Sequence, residues 1–378
     1  IKSYLMRDKP YCKAPWVGLS YEGTVGCKPC CEWKGDSFFG THTDYIKSDY
    51  LKDFKELMFE DEMNERCMEC IHNEKINKIS RRQKHMQYDI DGGLVRLDYR
   101  AGNKCNMKCR MCGSHSSSLW EEEDGITLPR IDTSDVHDID FSSLEKVMIL
   151  GGEPSVDLEV RKFLDSIKDL DCHVGVTTNA TNSSDKWFNT LKQLKKLEID
   201  LSIDATGDIA DYQRKGGEWS KIKKNIIKYR DTFRNVCIHL TATAITFPVL
   251  DRWWDELMSF NIRVFFGQVH WPITHNLDAI PDEFKEEQIA WLDNWAESIK
   301  DEPDFGHMNP LSHEELEIYR AWKFKHEAVA QAKAILGASK YNDNYNKQFK
   351  DRTKELDKIR NENILDLDYR FEEIMNEG

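Results

Sequence analysis

From Leu94 onward the apolar and polar positions follow a repeating plan. Val95, Leu97 and Tyr99 alternate with Arg96 and Asp98, the period-two signature of a strand. Further strand-like runs cover residues 146–150, 173–178, 197–203, 236–246 and 262–269. Between them the apolar residues recur at helical spacing, over about 156–169, 184–196, 219–233 and 250–260, and residues 116–123 form a first helix. Six strands alternating with helices predict a parallel sheet with right-handed crossovers. Six units fall short of the eight of a closed barrel. The expectation is an α/β fold, an open partial barrel.

The flanks are patterned differently. Residues 1 to about 93 are rich in loops, with Gly18, Gly23, Gly26, Gly35 and Gly40, and carry polar helices over 44–66 and 71–87 before Gly92 and Gly93 break the pattern. The apolar core of so small a module is thin, and a metal centre would add stability. From about Pro281 the chain is helical and very polar. The expected layout is therefore a module over 1–93, a core over 94–280 and a helical extension over 281–378. No fixed-period repeat or low-complexity linker interrupts it.

Composition sharpens this picture in three ways. A length of 378 residues suits one large domain or two to three smaller ones. With 40% hydrophobic and 32% charged residues the chain can build a core and is not disordered by composition. The 53 basic against 67 acidic residues leave a net charge of −14, which argues against broad nucleic-acid binding while leaving room for a local basic groove. No run approaches the ~18–20 apolar residues of a membrane span, and residues 1–10 lack the apolar stretch of a secretion signal. The chain starts at Ile1 instead of Met, which fits a trimmed start. No membrane partner is expected, and the expected location is the reducing cytoplasm.

In such a compartment eleven cysteines are metal or cluster ligands more readily than disulfides. They fall into two groups. Cys105, Cys109 and Cys112 have the spacing C-x3-C-x2-C immediately after the first predicted core strand. A structural zinc or a four-cysteine cluster wants a fourth ligand. Three thiolates on one loop leave a metal position open for chemistry; a zinc loop that borrows a distant residue is the other reading. After the second strand come Gly151, Gly152, Glu153 and Pro154. Paired glycines let a ligand approach the backbone closely, and the carboxylate can accept from an ammonium. Alone, this motif is also what an ordinary strand-to-helix turn looks like.

Together, the triplet and residues 151–154 resemble the radical S-adenosylmethionine (SAM) enzymes, over about 94–269. The resemblance implies a partial (β/α)6 TIM-like barrel, in agreement with the independent count of six strands. It implies that Cys105, Cys109 and Cys112 hold three irons of a [4Fe-4S] cluster whose fourth iron chelates SAM. Reductive cleavage of the sulfonium would then give a 5′-deoxyadenosyl radical that abstracts hydrogen from substrate. Residues 151–154 match the family's GGEP motif at the SAM site. Met111 stands where an aromatic residue is common and would pack near the adenine. By the same resemblance Asn179 bonds the ribose, and Ser202 and Arg214 contact the methionyl group, for which a planar guanidinium fork is suited. Without the resemblance, Ser202 is a polar strand end and Arg214 a surface ion pair. Gln268 and His270 after the sixth strand, and Thr246 at the end of the fifth, are substrate-facing candidates, although His270 reads equally well as a packed or solvated side chain beside Trp271. Cys172 and Cys237 read as buried small apolar residues.

The early group comprises Cys12, Cys27, Cys30, Cys31, Cys67 and Cys70. Its chemistry suits zinc and iron–sulfur almost equally. The order C-x2-P-W, a glycine turn, P-C and then C-x2-C resembles the SPASM/twitch domain. That resemblance implies an auxiliary [4Fe-4S] cluster held by Cys12, Cys30, Cys67 and Cys70, with Cys31 and Cys27 in reserve. In this chain the module precedes the core, whereas it usually follows. The implied partners are a one-electron donor such as flavodoxin or ferredoxin and a substrate, a peptide or small polar metabolite. A methyl or methylthio transferase on the same core, and a non-catalytic zinc-binding adaptor, are the competing readings.

Overall fold

The computed structural model of the protein describes residues 10–59, 65–75, 79–306 and 311–376. Residues 60–64 and 76–78 of the two helices expected in the N-terminal module lie outside the described residues, as does most of 1–10. Eight strands form one open, mostly parallel sheet. They are β1 Gly18–Glu22, β2 Gly26–Lys28, β3 Arg96–Arg100, β4 Lys146–Ile149, β5 His173–Thr178, β6 Lys196–Ser202, β7 Val236–Ala242 and β8 Arg263–Gln268. Their order is β2-β1-β3-β4-β5-β6-β7-β8. This is the open α/β partial barrel expected, with two strands more than the six expected.

The chain divides into two compact units. The first holds the described parts of 1–106, 114–177 and 184–198. Here β1 runs antiparallel to β2 and parallel to β3, with Leu19 opposite Leu97, and β3, β4 and β5 continue in parallel. Strands on both sides of Gly92 and Gly93 thus share one ladder. In β1 the apolar Leu19 and Tyr21 alternate with Ser20 and Glu22, all four are buried, and Ser20 Oγ donates to Glu22 Oε1 at 3.2 Å. Leu97, Val147, Val174 and Val176 form the apolar floor of this unit. The helix Leu158–Ile167 adds Val160, Phe163, Leu164 and Ile167, and is started by the Asp157 carboxylate accepting from Glu159 N.

The second unit holds 107–113, 178–183 and the described part of 199–378. β6, β7 and β8 are parallel. Leu201, Ile238, Leu240 and Val264 are buried, as are Ile222, Ile226 and Tyr229 of the helix Trp219–Thr232 and Trp253 and Trp254 of Leu250–Ser259. β7 ends at Ala242, short of the expected residue 246, because Thr243 and Thr246 close a turn: Thr246 N donates to Thr243 Oγ1 at 3.2 Å. The polar tail folds into Asp282–Ser298, His313–Ala338, Asp343–Arg360 and Arg370–Asn376. Its long helix covers the edge strand β8, since Gln331 donates to Val264 O at 3.1 Å and accepts from Phe266 N at 3.2 Å. Among the described residues no helix is long and apolar enough to cross a membrane.

Candidate functional site

The first unit holds the start of the C-x3-C-x2-C loop. Asn103 Nδ2 donates to Ser114 O at 2.6 Å and to Glu121 Oε2 at 2.9 Å, tying the loop to the helix Ser118–Asp124. Cys105 N donates to Ser118 Oγ at 3.3 Å. Residues 151–154 follow β4. Gly151 has φ 118°, a conformation that favours glycine. Glu153 N donates to Lys104 O at 2.8 Å, and the buried Glu153 carboxylate accepts from Ser155 N at 3.0 Å. A Cβ on Gly152 would stand 2.1 Å from Lys104 O. The second glycine is therefore required by close approach of the cysteine loop, within the protein. Gly152→Ala is expected to displace this loop and cost about 1–3 kcal/mol, as overpacking does. Thermal melting together with iron retention checks it; an unchanged midpoint with full iron would contradict the contact.

The second unit holds the rest of the loop. Lys108 N donates to Lys215 O and Arg110 N to Gln213 O, both at 2.8 Å, which lays residues 107–112 along 213–215. Arg110 between the two last cysteines has a fully buried side chain. Its guanidinium stacks 3.6 Å from the Tyr212 ring centroid and donates to Asp357 Oδ1 at 2.6 Å and Glu362 Oε2 at 2.7 Å. Tyr212 Oη donates to the same Asp357 oxygen at 2.7 Å, and Lys215 Nζ to Glu362 Oε1 at 2.6 Å. The C-terminal extension thus braces the cysteine loop. Sequence reasoning missed Arg110, because its partners lie about 250 positions away and nothing local marks them. Arg110→Ala would leave Asp357 without its cation and Glu362 with Lys215 alone, and is expected to cost about 3–5 kcal/mol. Denaturant unfolding checks this, and a loss under 1 kcal/mol would contradict the brace.

Arg214 is not a surface pair. Its Nε donates to the buried Asp204 Oδ2 at 2.7 Å, and its Nη1 lies 3.9 Å from Cys109 Sγ. Cys109 is buried. Its thiol is held below the ordinary value by a hydrogen bond from Cys112 first and then, against the effect of burial, by the Arg214 charge. A thiol so placed gives up its proton to a metal readily. Gln213 Nε2 lies 3.0 Å from Met111 Sδ, fixing that side chain.

The remaining candidates separate. Asn179, buried after β5, accepts from Thr181 N at 3.0 Å and Thr181 Oγ1 at 2.7 Å, in a local turn. Ser202 closes β6 and is part-buried. Thr246 is fully buried beyond the end of β7, and its carbonyl accepts from Trp253 Nε1 at 2.8 Å. Gln268 Nε2 donates to Ser339 Oγ at 3.3 Å, and His270 is exposed. Cys172 and Cys237 are both buried, as expected.

In the first unit one cavity is lined by Cys12, Cys30, Cys67 and Cys70, together with Tyr11, Glu32, Trp33, Arg81, Arg82 and His85. Local signals build it. Pro15 opens the helix Ala14–Val17 just after Cys12. Ser48 caps Asp49–Leu57, which buries Phe54 against Trp33 at 4.5 Å between ring centroids. A Ser80–Gln83 capping box starts Arg81–His85. Cys27 and Cys31 do not line the cavity: Cys27 sits on β2 with Sγ 3.9 Å from Gly40 O, and Cys31 Sγ is 3.9 Å from Glu32 Oε1. Burial first, then the neighbouring cysteines, pushes the Cys12 thiol up to about 12 and that of Cys67 up to about 11. Metal binding must therefore displace protons.

Among the described residues no three of these sulfurs lie within 4.8 Å of one another. A single tetrahedral zinc with bonds of about 2.3 Å would draw them to roughly 3.8 Å, whereas a multi-iron cluster spreads its thiolates over different irons. Both ring nitrogens of the buried His85 lack a hydrogen-bond partner among the described residues, and Arg81 and Arg82 stand at the wall, Arg81 ion-paired with Glu32 and Asp98 and Arg82 with Glu74. These features fit an anionic iron–sulfur cluster.

Residues 99–260 match the Radical SAM superfamily model, and this stretch is a radical SAM domain. Iron–sulfur and SAM binding go with that class of domain. The chain is similar to a probable GTP 3′,8-cyclase of Methanococcus maripaludis (strain C6), 29% identical over 155 residues, covering 39% of this chain and 47% of that protein. A second probable GTP 3′,8-cyclase, from Methanococcus vannielii, is 28% identical over 153 residues with the same coverage. The match thus spans about half the length of these curated relatives. Among solved structures, native anSMEcpe with bound AdoMet is 17% identical with a TM-score of 0.41, over 55% of this chain and 62% of that one. Streptococcus suis SuiB bound to its precursor peptide SuiA is 14% identical with a TM-score of 0.39, over 68% and 59%.

Proposed function

We propose that this protein is a radical SAM enzyme in which Cys105, Cys109 and Cys112 hold a SAM-binding [4Fe-4S] cluster. The proposal also gives residues 1–93 an auxiliary [4Fe-4S] cluster on Cys12, Cys30, Cys67 and Cys70. The observation that carries it is Cys109, buried against Cys112 and Arg214 on an intact C-x3-C-x2-C loop inside the matched domain. When bound, the cluster supplies the electron that cleaves SAM reductively and starts hydrogen abstraction. The chain's own residues position and shield. Arg110 and the 213–215 segment fix the loop. Arg214 sets positive charge beside a thiolate while Asp204 orients it. Gly152 brings residues 151–154 against the loop's first turn. Asn179, Ser202 and Met111 are assigned to SAM, Gln268 and His270 to the substrate side. Residues 94–280 form the core and 281–378 an extension that braces it.

A reductant-driven donor such as flavodoxin or ferredoxin supplies electrons, and the substrate is a peptide or a small polar molecule. The acidic balance of the chain supports that preference. The names of the two curated relatives put a nucleotide among the small polar candidates. The test is reduction of the reconstituted protein with SAM under anaerobic conditions. Formation of 5′-deoxyadenosine and methionine is expected. S-adenosylhomocysteine alone would point to methyl transfer, and no SAM turnover at all to an adaptor.

A further inference from the structure

Asp200 on β6 and Cys237 on β7 are direct partners in the parallel ladder. His239 lies two residues beyond Cys237, so the three side chains leave the same face of the sheet. That face is opposite the helix Leu250–Ser259. Trp254 stacks on Phe266 at 6.1 Å, whereas His239 meets Phe265, on the other face of β8, at 5.4 Å. Cys237 Sγ is 2.8 Å from Asp200 Oδ1, and His239 Nε2 is 3.6 Å from the same oxygen. One ligand atom from each residue lies within 4.8 Å of the other two, and no other trio of His, Cys, Asp or Glu among the described residues meets that condition.

The charge balance is what needs an explanation. Asp200 is 5% exposed, and among the described residues no lysine or arginine pairs with it. A buried carboxylate without a cation is costly. Its neighbours are a thiol and an imidazole, which are metal ligands rather than fixed cations. Thiolate, imidazole and carboxylate on one small patch are the mixed donor set that zinc accepts.

We propose that Asp200, Cys237 and His239 bind one Zn²⁺, with the fourth position left open on the half-exposed side of His239. Binding exchanges the thiol proton for the metal: the S–H bond breaks, the Zn–S bond forms and the proton leaves to solvent, with no change of oxidation state. A zinc of this three-ligand kind takes a water or a substrate oxygen in its open position and lowers the pKa of that water to about 7. The site shares no ligand with the cysteines assigned to iron, and its donor set does not depend on the radical reading.

The test uses the full chain with its iron already loaded. Zn²⁺ is added, excess is removed by gel filtration, and retained zinc and iron are counted by elemental mass spectrometry. About one zinc per chain is expected. His239→Ala and Cys237→Ala should each lower it tenfold or more with the iron count unchanged. Because His239 is on the exposed side, its variant keeps the test sound if Cys237→Ala fails to fold. The zinc absorption edge should report one sulfur at about 2.3 Å with nitrogen and oxygen at about 2.0 Å. No zinc retained by the unmodified protein, equal zinc in the variants, or an all-sulfur shell would each overturn the site.

Discussion

Cys109→Ala is expected to abolish reductive SAM cleavage, lowering 5′-deoxyadenosine formation to the level of a no-enzyme control. Three thiolates are the minimum that leaves one iron open, and Cys109 is the one whose surroundings are built around it. It is buried, accepts a hydrogen bond from Cys112 and faces Arg214, itself held by Asp204. Removing the sulfur leaves the Arg214 charge facing an apolar methyl group, so no nearby side chain rescues the ligand. Iron should fall by about four per chain, the content of one cubane. Deoxyadenosine formation at the unmodified rate would sink the assignment of this loop.

The second large effect is in the N-terminal module. Cys67→Ala is expected to remove about four irons while SAM binding stays detectable, because the cavity lined by Cys12, Cys30, Cys67 and Cys70 lies wholly in the first unit and does not include the core triplet. Cys27→Ala and Cys31→Ala are expected to leave the iron count unchanged, since neither residue lines that cavity. Iron analysis of the three variants side by side decides the ligand set. Unchanged iron in Cys67→Ala, or a matching loss in Cys27→Ala, would contradict it.

What the sequence made legible follows from how the chain buries itself. β3 and β5 were readable because one face of each is polar enough to give alternation or because turns bound a β-branched run. β1 was not, because its alternation of Leu19 and Tyr21 with Ser20 and Glu22 is short and lies among Gly18, Gly23 and Gly26, which read as loop. The extension of β7 to residue 246 was over-read for the opposite reason: Thr243, Ile245 and Thr246 favour strand, and only their mutual hydrogen bonds turn the chain. The four cysteines of the N-terminal cavity were identifiable because the order C-x2-P-W, P-C and C-x2-C resembles the SPASM/twitch domain, whereas spacing alone left Cys27, Cys30 and Cys31 as alternatives. The Arg110 brace was invisible, because it depends on Asp357 and Glu362 reaching back from the polar tail. Cys237 had a signal that was passed over: His239 two positions on shares its face, and Asp200 sits on the preceding strand.

The measurement that bears most directly on the account is the iron and acid-labile sulfide content of anaerobically reconstituted protein, taken with deoxyadenosine detection in the same samples. The account predicts about eight irons and eight sulfides per chain, two cubanes, and SAM cleavage on reduction. Zinc in place of iron at the N-terminal cysteines, with about four irons per chain, would remove the auxiliary cluster. No iron–sulfur content at all would contradict the account at its root.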